Sequence, residues 1–259
     1  MKRLTMVVIL SAGLAQAEVA APQGFDLLVL GEVHDNLAHH QAQARIVAQT
    51  RPAAIVFEMI APEQAKVANA VDRADAAALG AALDWEARGW PDFAMYYPIL
   101  AAAPRAVIVG AALSGAMAGE AMDNGAVAAF GPQAALFGLT PLSPALQAEQ
   151  EAEQAAAHCD ALPPEMLPRM VEVQRLRDAH FARVLLQAFD SYGGPVVLIT
   201  GSGHVRADIG VPAALRAARP GLQVWALGQF ESDPGADAPF DVVNVTDPVD
   251  RPDPCLAFR

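Results

Sequence analysis

The sequence predicts an α/β fold with a mostly parallel central sheet, flanking helices and a helical lid. Short apolar runs recur along the chain with helical patterns between them, and the first four runs do not alternate apolar and polar residues. Strands of that kind are covered on both faces, as in a parallel sheet. The repeated strand–helix–strand order then favours right-handed crossover connections within one α/β domain.

Six apolar runs rich in Val, Ile and Leu are the predicted strands. In chain order they cover residues 26–30, 53–57, 106–110, 196–200, 222–227 and 241–245. Between them, Asn36 can cap a helix over 37–50, and Pro62 can open a helix that runs to about residue 70. A longer helix is predicted from about Pro164 to Asp190.

Two helical insertions are predicted to form the lid over the sheet. The first, about residues 84–104, is rich in aromatic side chains, and the second, about 143–165, is an Ala/Gln/Glu helix that ends at paired prolines. The predicted α/β domain therefore runs over 18–246. Residues 247–259, with three prolines, are predicted to form an extended tail.

The first residues have the pattern of a secretory signal peptide over 1–17. Lys2 and Arg3 precede an apolar run too short to span a bilayer, and Ala15-Gln16-Ala17 offers a small-x-small cleavage site. An uncleaved anchor is the alternative. No later segment has the roughly 18 uninterrupted apolar residues of a membrane helix. We therefore expect a protein that is not transmembrane and that is periplasmic or secreted after cleavage.

The net charge limits the kinds of molecule that the protein can bind, and the two cysteines bear on the compartment in which it is located. The net charge is −12, and loss of Lys2 and Arg3 leaves 15 basic against 29 acidic residues, a net charge of −14. Such a chain repels nucleic acid and anionic lipid. In an oxidising compartment, Cys159 and Cys255 are predicted to form a disulfide that tethers the tail, with two buried free thiols as the alternative.

Polar residues follow three of the predicted strands at the point where each strand ends. Glu32 and His34 follow the first, Glu58 follows the second, and Gly-Ser-Gly-His204 follows the fourth. Because parallel strands end at one edge of the sheet, these side chains should share a crevice. The rise of the long helix places Asp178 at about the height of His204. Each piece alone is equally a polar turn, but together they predict a functional site.

Two chemistries suit this crevice. Imidazole and carboxylate can hold zinc, manganese or iron, whose bound water would be a hydrolytic nucleophile. The metal ligands would then be Glu32, His34, Glu58 and His204. Without a metal, the same residues and Asp178 can act as general acid and base or bind a small ligand. His39 and His40 are expected at the surface of the following helix.

The crevice residues and several further elements also match a known family. The elements are Gly31-Glu32-x-His34-Asp35-Asn36, Phe57-Glu58-Met59, Trp90 with Tyr97-Pro98, Gln174-x-x-Arg177-Asp178, and Gly201-x-Gly203-His204-Val205-Arg206 with Gly210-Val211-Pro212. Over about residues 25–215 the chain resembles the ChaN-like haem-binding uptake proteins of the Tiki superfamily and, more distantly, the erythromycin esterases. It departs from the family at Ala111-Ala112, where an asparagine is frequent, and in having no lipoprotein cysteine.

The resemblance implies an exported α/β protein with a helical lid that binds haem in iron acquisition. Haem binding needs an apolar slot, an iron ligand and cations for the propionates. We expect Tyr96 or Tyr97 as the iron ligand, unless these aromatics are plain core, and Arg206 or Arg88 beside a propionate. A homodimer that shares haem is compatible with this hypothesis. The rival hypotheses are a metal-dependent hydrolase that uses the crevice and an interaction module in which the crevice is vestigial.

Overall fold

The centre of the protein is a six-stranded sheet in which every neighbouring pair of strands is parallel. The computed structural model describes residues 19–253 together with 255 and 256, so the predicted signal peptide over 1–17 lies outside the described residues. The strands are β1 (Leu27–Glu32), β2 (Ala54–Phe57), β3 (Val107–Gly110), β4 (Val196–Gly201), β5 (Val224–Phe230) and β6 (Val242–Val245). Their order is β3-β2-β4-β1-β5-β6. The predicted fold class and all six predicted strands are confirmed.

Helices cover both faces of the sheet. They are α1 (Leu37–Thr50), α2 (Pro62–Ala68), α3 (Ala76–Ala82), α4 (Phe93–Ala102), α5 (Gly115–Asn124), α6 (Ala126–Phe130), α7 (Pro144–Ala157), α8 (Leu167–Tyr192) and α9 (Val211–Ala218). The Asn36 side chain accepts a hydrogen bond from the Ala38 N–H and so caps α1, as predicted. Within the described residues, none of these helices combines the length and the apolarity needed to cross a membrane.

The strands are apolar at every position because both faces of the sheet are packed. Along β1, Leu27 and Val29 point into a core shared with α5, α6, α8 and α9. Leu28 and Leu30 point into a second core shared with α1 to α4. Successive side chains of a strand alternate between faces. Each strand therefore contributes apolar side chains to both cores, and its sequence does not alternate between apolar and polar residues.

The aromatic segment predicted as the first part of the lid belongs to the second core. Trp85, Tyr96 and Ile99 are buried there, and α4 packs along α1. The side chain of Trp85 donates a hydrogen bond to the Pro91 carbonyl at 2.7 Å, which satisfies its buried N–H group. This segment therefore places Tyr96 directly behind the end of β1.

The C-terminal tail crosses the turn that follows β1. The predicted disulfide between Cys159 and Cys255 is present, with the two Cα atoms 5.5 Å apart. A second attachment was not predicted. The Arg251 guanidinium donates two hydrogen bonds to the Asp35 carboxylate, at 2.7 and 2.8 Å, and others to Glu231. A bidentate pair of this kind fixes geometry as well as charge, so the tail is held at two places.

Candidate functional site

Three adjacent strands bring the predicted crevice residues to one edge of the sheet. Glu32 ends β1, Glu58 follows β2, and His204 lies in a single 3₁₀ turn, Ser202–His204, directly after β4. Because β4 lies between β2 and β1 in the sheet, the carboxyl ends of all three strands meet. The local sequence explains why polar side chains lie at this edge, since each of them closely follows an apolar run that is buried on both faces.

Glu32 is the centre of the first cluster. Its side chain is buried, with 2 % of the residue exposed. Oε1 accepts hydrogen bonds from the Tyr96 hydroxyl at 2.6 Å and from His34 Nδ1 at 2.8 Å, and Oε2 accepts one from Gln43 Nε2 at 2.9 Å. A buried carboxylate with three donors is well solvated by the protein itself. Glu32 therefore holds the His34 ring in one orientation.

His39 and His40 were predicted at the helix surface, and that prediction is wrong. Both are fully buried on the side of α1 that faces the sheet. His39 Nδ1 accepts a hydrogen bond from the Val33 N–H at 2.9 Å. The His40 ring packs on the Tyr96 ring with centroids 4.2 Å apart, and its Nδ1 lies 3.6 Å from Glu32 Oε2. Both histidines thus support the turn after β1 from behind.

Asp178, His204 and Glu58 form the second cluster, a carboxylate–imidazole–carboxylate chain. The His204 Nδ1 group donates to Asp178 Oδ1 at 2.6 Å, and its Nε2 lies 3.6 Å from Glu58 Oε1. The other Glu58 oxygen accepts hydrogen bonds from Thr200 Oγ1 at 2.6 Å and from the Gly201 N–H at 2.9 Å. The prediction that α8 brings Asp178 to the height of His204 agrees with this geometry.

The two clusters meet across Gly201. A Cβ atom at this position would lie 3.2 Å from His34 Nε2 and 3.9 Å from Glu58 Oε2. Glycine therefore lets the imidazole of His34 lie close against the end of β4. The edge of the His34 ring also faces Trp90, with centroids 4.9 Å apart. His34 keeps 33 % of its side chain exposed, so it is the group of the crevice that a solute reaches most directly.

The charges of the crevice stabilise one another. Burial works against the charged form of His204, but Glu58 and Asp178 outweigh it and raise the pKa of this imidazole to about 10. Burial raises the pKa of the Asp178 carboxyl to about 6, against the opposing effect of His204. Burial would also raise the pKa of Glu58, yet the charge of His204 holds it well below its ordinary value. At neutral pH the chain is an imidazolium between two carboxylates.

The pKa of His34 is raised by its surroundings, as that of His204 is. Burial lowers the pKa of the His34 imidazole, but the hydrogen bond with Glu32 and the charges of Glu32 and Glu58 raise it above its ordinary value overall. Burial, and then the charge of Glu32, raises the pKa of the Tyr96 phenol well above its ordinary value. Tyr96 is therefore a permanent hydrogen-bond donor to Glu32.

We expect the His204 ring to remain protonated at pH 8 in the folded protein. Its folded pKa, about 10, lies above the ordinary value near 6.5, so its contribution to stability is complete below about pH 6.5 and is lost as the pH rises towards 10. Asp178→Asn removes one of the two carboxylates and should lower the pKa of His204. Ring chemical shifts followed by NMR over pH 5–11 measure both, and a His204 midpoint at the ordinary value would contradict the arrangement.

The predicted metal site is not supported. Over residues 19–253, 255 and 256, no group of three or more His, Cys, Asp or Glu side chains is arranged to hold a metal ion. The physical reason is that the imidazoles already form hydrogen bonds with carboxylates. His34 bonds to Glu32, and His204 bonds to Asp178. Zinc, manganese or iron ligation by Glu32, His34, Glu58 and His204 therefore finds no support in this geometry, and the metal-dependent hydrolase stays an untested prediction.

The residues predicted to hold haem are placed less favourably. Tyr96 is fully buried, and its hydroxyl is bound to Glu32. The Tyr97 hydroxyl donates to the carbonyls of Arg73 and Ala74 at 3.1 and 3.3 Å. Both hydroxyls are thus hydrogen-bonded within the protein, and Tyr97 alone of the two is partly exposed.

The two predicted propionate partners are also engaged within the protein. Arg206 pairs with three carboxylates, those of Glu149, Glu153 and Asp208. The Arg88 guanidinium donates to Gln64 Oε1 at 2.7 Å. An arginine already paired with three acids has little positive potential left for a fourth.

Two supporting residues of the crevice were missed, although the sequence carried a signal for one of them. Asn36, His39, His40 and Gln43 follow one another at spacings of three or four residues along the chain, with His39 and His40 adjacent. Positions at this spacing share one face of a helix, so a polar stripe facing the end of β1 could have been predicted. Thr200, the donor to Glu58, ends an apolar run and gives no comparable signal.

Comparison with known proteins finds a family whose profile matches most of the chain. Residues 19–215 match the sequence profile of a family described as haem-binding uptake, Tiki superfamily, ChaN. No curated protein matches the chain. A solved structure of ChaN from Campylobacter jejuni, described by its cofacial haem binding, aligns over 82 % of this chain and 84 % of that chain, with 20 % identity and a TM-score of 0.63. This likeness shows a shared fold.

A second solved structure, the type III effector HopBA1, aligns over 86 % of this chain and 88 % of that chain. The identity is 11 % and the TM-score 0.42, values that support no functional conclusion.

Proposed function

This chain belongs to the ChaN family of haem-binding uptake proteins in the Tiki superfamily, and from that membership we propose that it binds haem outside the cytoplasm in the service of haem or iron uptake. The match of residues 19–215 to the family is the observation that carries the proposal. The shared fold with ChaN of Campylobacter jejuni, at a TM-score of 0.63, agrees with it.

Two features support a location outside the cytoplasm. The basic, apolar and small-residue pattern over residues 1–17 is typical of a signal peptide. The disulfide between Cys159 and Cys255 is of a kind that persists in oxidising compartments such as the periplasm. The proposal is therefore a periplasmic or secreted protein.

The Glu/His crevice takes part in this proposal as a site for a small polar ligand rather than for the porphyrin. It contains three carboxylates, those of Glu32, Glu58 and Asp178, against the imidazoles of His34 and His204. Haem carries two propionates, and a site with more acidic than basic groups opposes them. The exposed edge of His34 instead suits a ligand that accepts hydrogen bonds.

Titration with hemin tests the proposed function. We expect the purified full chain to give a saturable shift of the Soret band at micromolar protein, because a haem-uptake protein must compete with haem aggregation. Absorbance difference spectra, with an unrelated protein of similar acidity as control, measure the shift. A strictly linear, non-saturable response would refute haem binding. Light scattering of the same samples, with and without hemin, tests the predicted homodimer.

A further inference from the structure

We infer that a cavity between α7, α8 and α9 is a second binding site, which takes a small primary amine with an apolar body and holds its ammonium group at Asp178 and Gln150. The cavity has a volume of about 410 Å³ and is lined by residues 137–143, by α7 and α8, and by residues at and just before the start of α9. It shares Asp178 with the Glu/His crevice, but neither His204 nor Glu58 lines it. Amine binding here is a function separate from haem binding and does not depend on it.

The walls of the cavity are mainly apolar. Phe137, Leu142 and Leu146 are among the larger side chains that line it. Thr140 and Ser143 also line it and are exposed, so a solute can enter from the loop that precedes α7. Cavities of ~300–1,000 Å³ with apolar walls and a few placed polar groups are typical of small-molecule sites. This cavity suits a ligand whose body is an aromatic ring or a short alkyl chain.

Two buried polar side chains of the wall each keep an oxygen atom without a donor. Asp178 is 6 % exposed and Gln150 7 %, and both line the cavity. Asp178 Oδ1 is bound to His204 Nδ1 at 2.6 Å, but its Oδ2 atom accepts no hydrogen bond from a described residue. Gln150 Nε2 donates to Glu153 Oε2 at 3.0 Å, and Gln150 Oε1 likewise accepts none. Buried acceptors without a donor are costly, and an ammonium group offers three donors.

The charge beside the cavity selects a cationic ligand. Asp178, His204 and Glu58 are two carboxylates and one imidazolium at neutral pH, which gives a net charge of −1. A buried charge of this kind is costly unless a cation lies near it. The positive charge of Arg177 acts on Asp178, but Arg177 does not line the cavity. An ammonium group beside Asp178 would balance the charge from the cavity side.

The other charged side chains of the wall are already paired. Arg175 forms an ion pair with Glu172 at 2.8 Å and donates to the Thr140 carbonyl. Asp208 forms an ion pair with Arg206 at 2.8 Å. Among the described residues that line the cavity, no cation is therefore left for an anionic head group. The ligand class is accordingly an amine rather than a carboxylic acid.

Calorimetric titration of the full chain at neutral pH with matched probes tests the ligand class. Phenethylamine and hexylamine should bind saturably. Phenethyl alcohol and phenylacetate carry the same ring with a neutral or an anionic head group, and they should bind at least about tenfold more weakly than phenethylamine, the usual effect of a hydrogen bond to a charged group. Failure of both amines to bind saturably, or equally tight binding of phenylacetate, would overturn the inference.

Substitutions in the wall test the location. Ala213→Leu adds three carbon atoms inside the cavity, where Ala213 is a lining residue, and should weaken phenethylamine binding about tenfold or more. Ala217→Leu is the matched control, because Ala217 lies on the same helix, is exposed and does not line the cavity. It should leave binding unchanged. Equal binding by these two variants would place the amine elsewhere and overturn the inference.

Asp178→Asn tests the proposed contact with the ammonium group. The amide keeps the shape of the side chain but removes its charge, so the preference for phenethylamine over phenethyl alcohol should fall about tenfold. Circular dichroism checks that the variant is folded, since the change also alters the contact with His204. A folded Asp178→Asn protein that retains the full preference would contradict the assignment of Asp178. Ala213→Leu leaves Asp178 intact and so decides the location even if Asp178→Asn does not fold.

Discussion

Replacing Glu32 by alanine is expected to lower the free energy of unfolding by about 3–5 kcal/mol, the usual cost of removing one partner from a buried charged network. The change would leave the Tyr96 hydroxyl, His34 Nδ1 and Gln43 Nε2 without their common acceptor. Each buried donor that loses its acceptor retains its desolvation cost. Urea unfolding followed by circular dichroism measures the difference.

The control for this variant is a glutamate in solvent. Glu86→Ala, at an exposed position, should change the free energy of unfolding by no more than about 0.5 kcal/mol. If Glu32→Ala were as mild as Glu86→Ala, the Glu32 cluster would not be a structural anchor, and the fixed orientation of His34 would lose its explanation.

Gly110→Ala should destabilise the protein by about 3 kcal/mol, at the upper end of what overpacking in a core costs. A Cβ atom at Gly110 would lie 2.5 Å from the carbonyl carbon and oxygen of Ala61 and from the Ile60 carbonyl oxygen. Because these are backbone atoms, the clash is relieved only if β3 moves away from the segment that follows β2. Thermal and urea unfolding measure the loss.

A second glycine provides the matched control. Gly119 lies inside α5, and a Cβ atom there would meet nothing within 4 Å. Gly119→Ala should therefore stabilise the protein by about 0.5–1 kcal/mol through helix propensity. Equal effects of the two substitutions would contradict the close approach at the end of β3.

The sheet was predictable because its strands are covered on both faces. An uninterrupted apolar run such as 196–200 is typical of a central parallel strand, and β4 is central. Helix α1 was predictable from its cap at Asn36. Helices α5 and α6 were not predicted, since Gly115, Gly119 and Gly125 interrupt a segment of small residues in which apolar and polar positions contrast little.

The crevice was predictable in its members but not in its internal pairing. Parallel strands bring their carboxyl ends together whatever side chains follow, so the meeting of Glu32, Glu58 and His204 required only the strand assignments. The pairing of individual atoms depends on differences in distance of a few tenths of an ångström. The pattern of residues along the sequence contains no information on such distances. For that reason the sequence suggested a metal site where the imidazoles instead bind neighbouring carboxylates.

Helix α8 carries one chemical group at its middle and another at its end. Asp178 supports the crevice, and Tyr192, fourteen residues later, ends the helix near the start of β4, a span of about 21 Å at 1.5 Å per residue. A rigid rod of this length separates the crevice from the opposite end of the sheet, so substitutions at one end can accumulate during evolution without disturbing the other. Variation among relatives at the two ends of α8 should accordingly be uncorrelated.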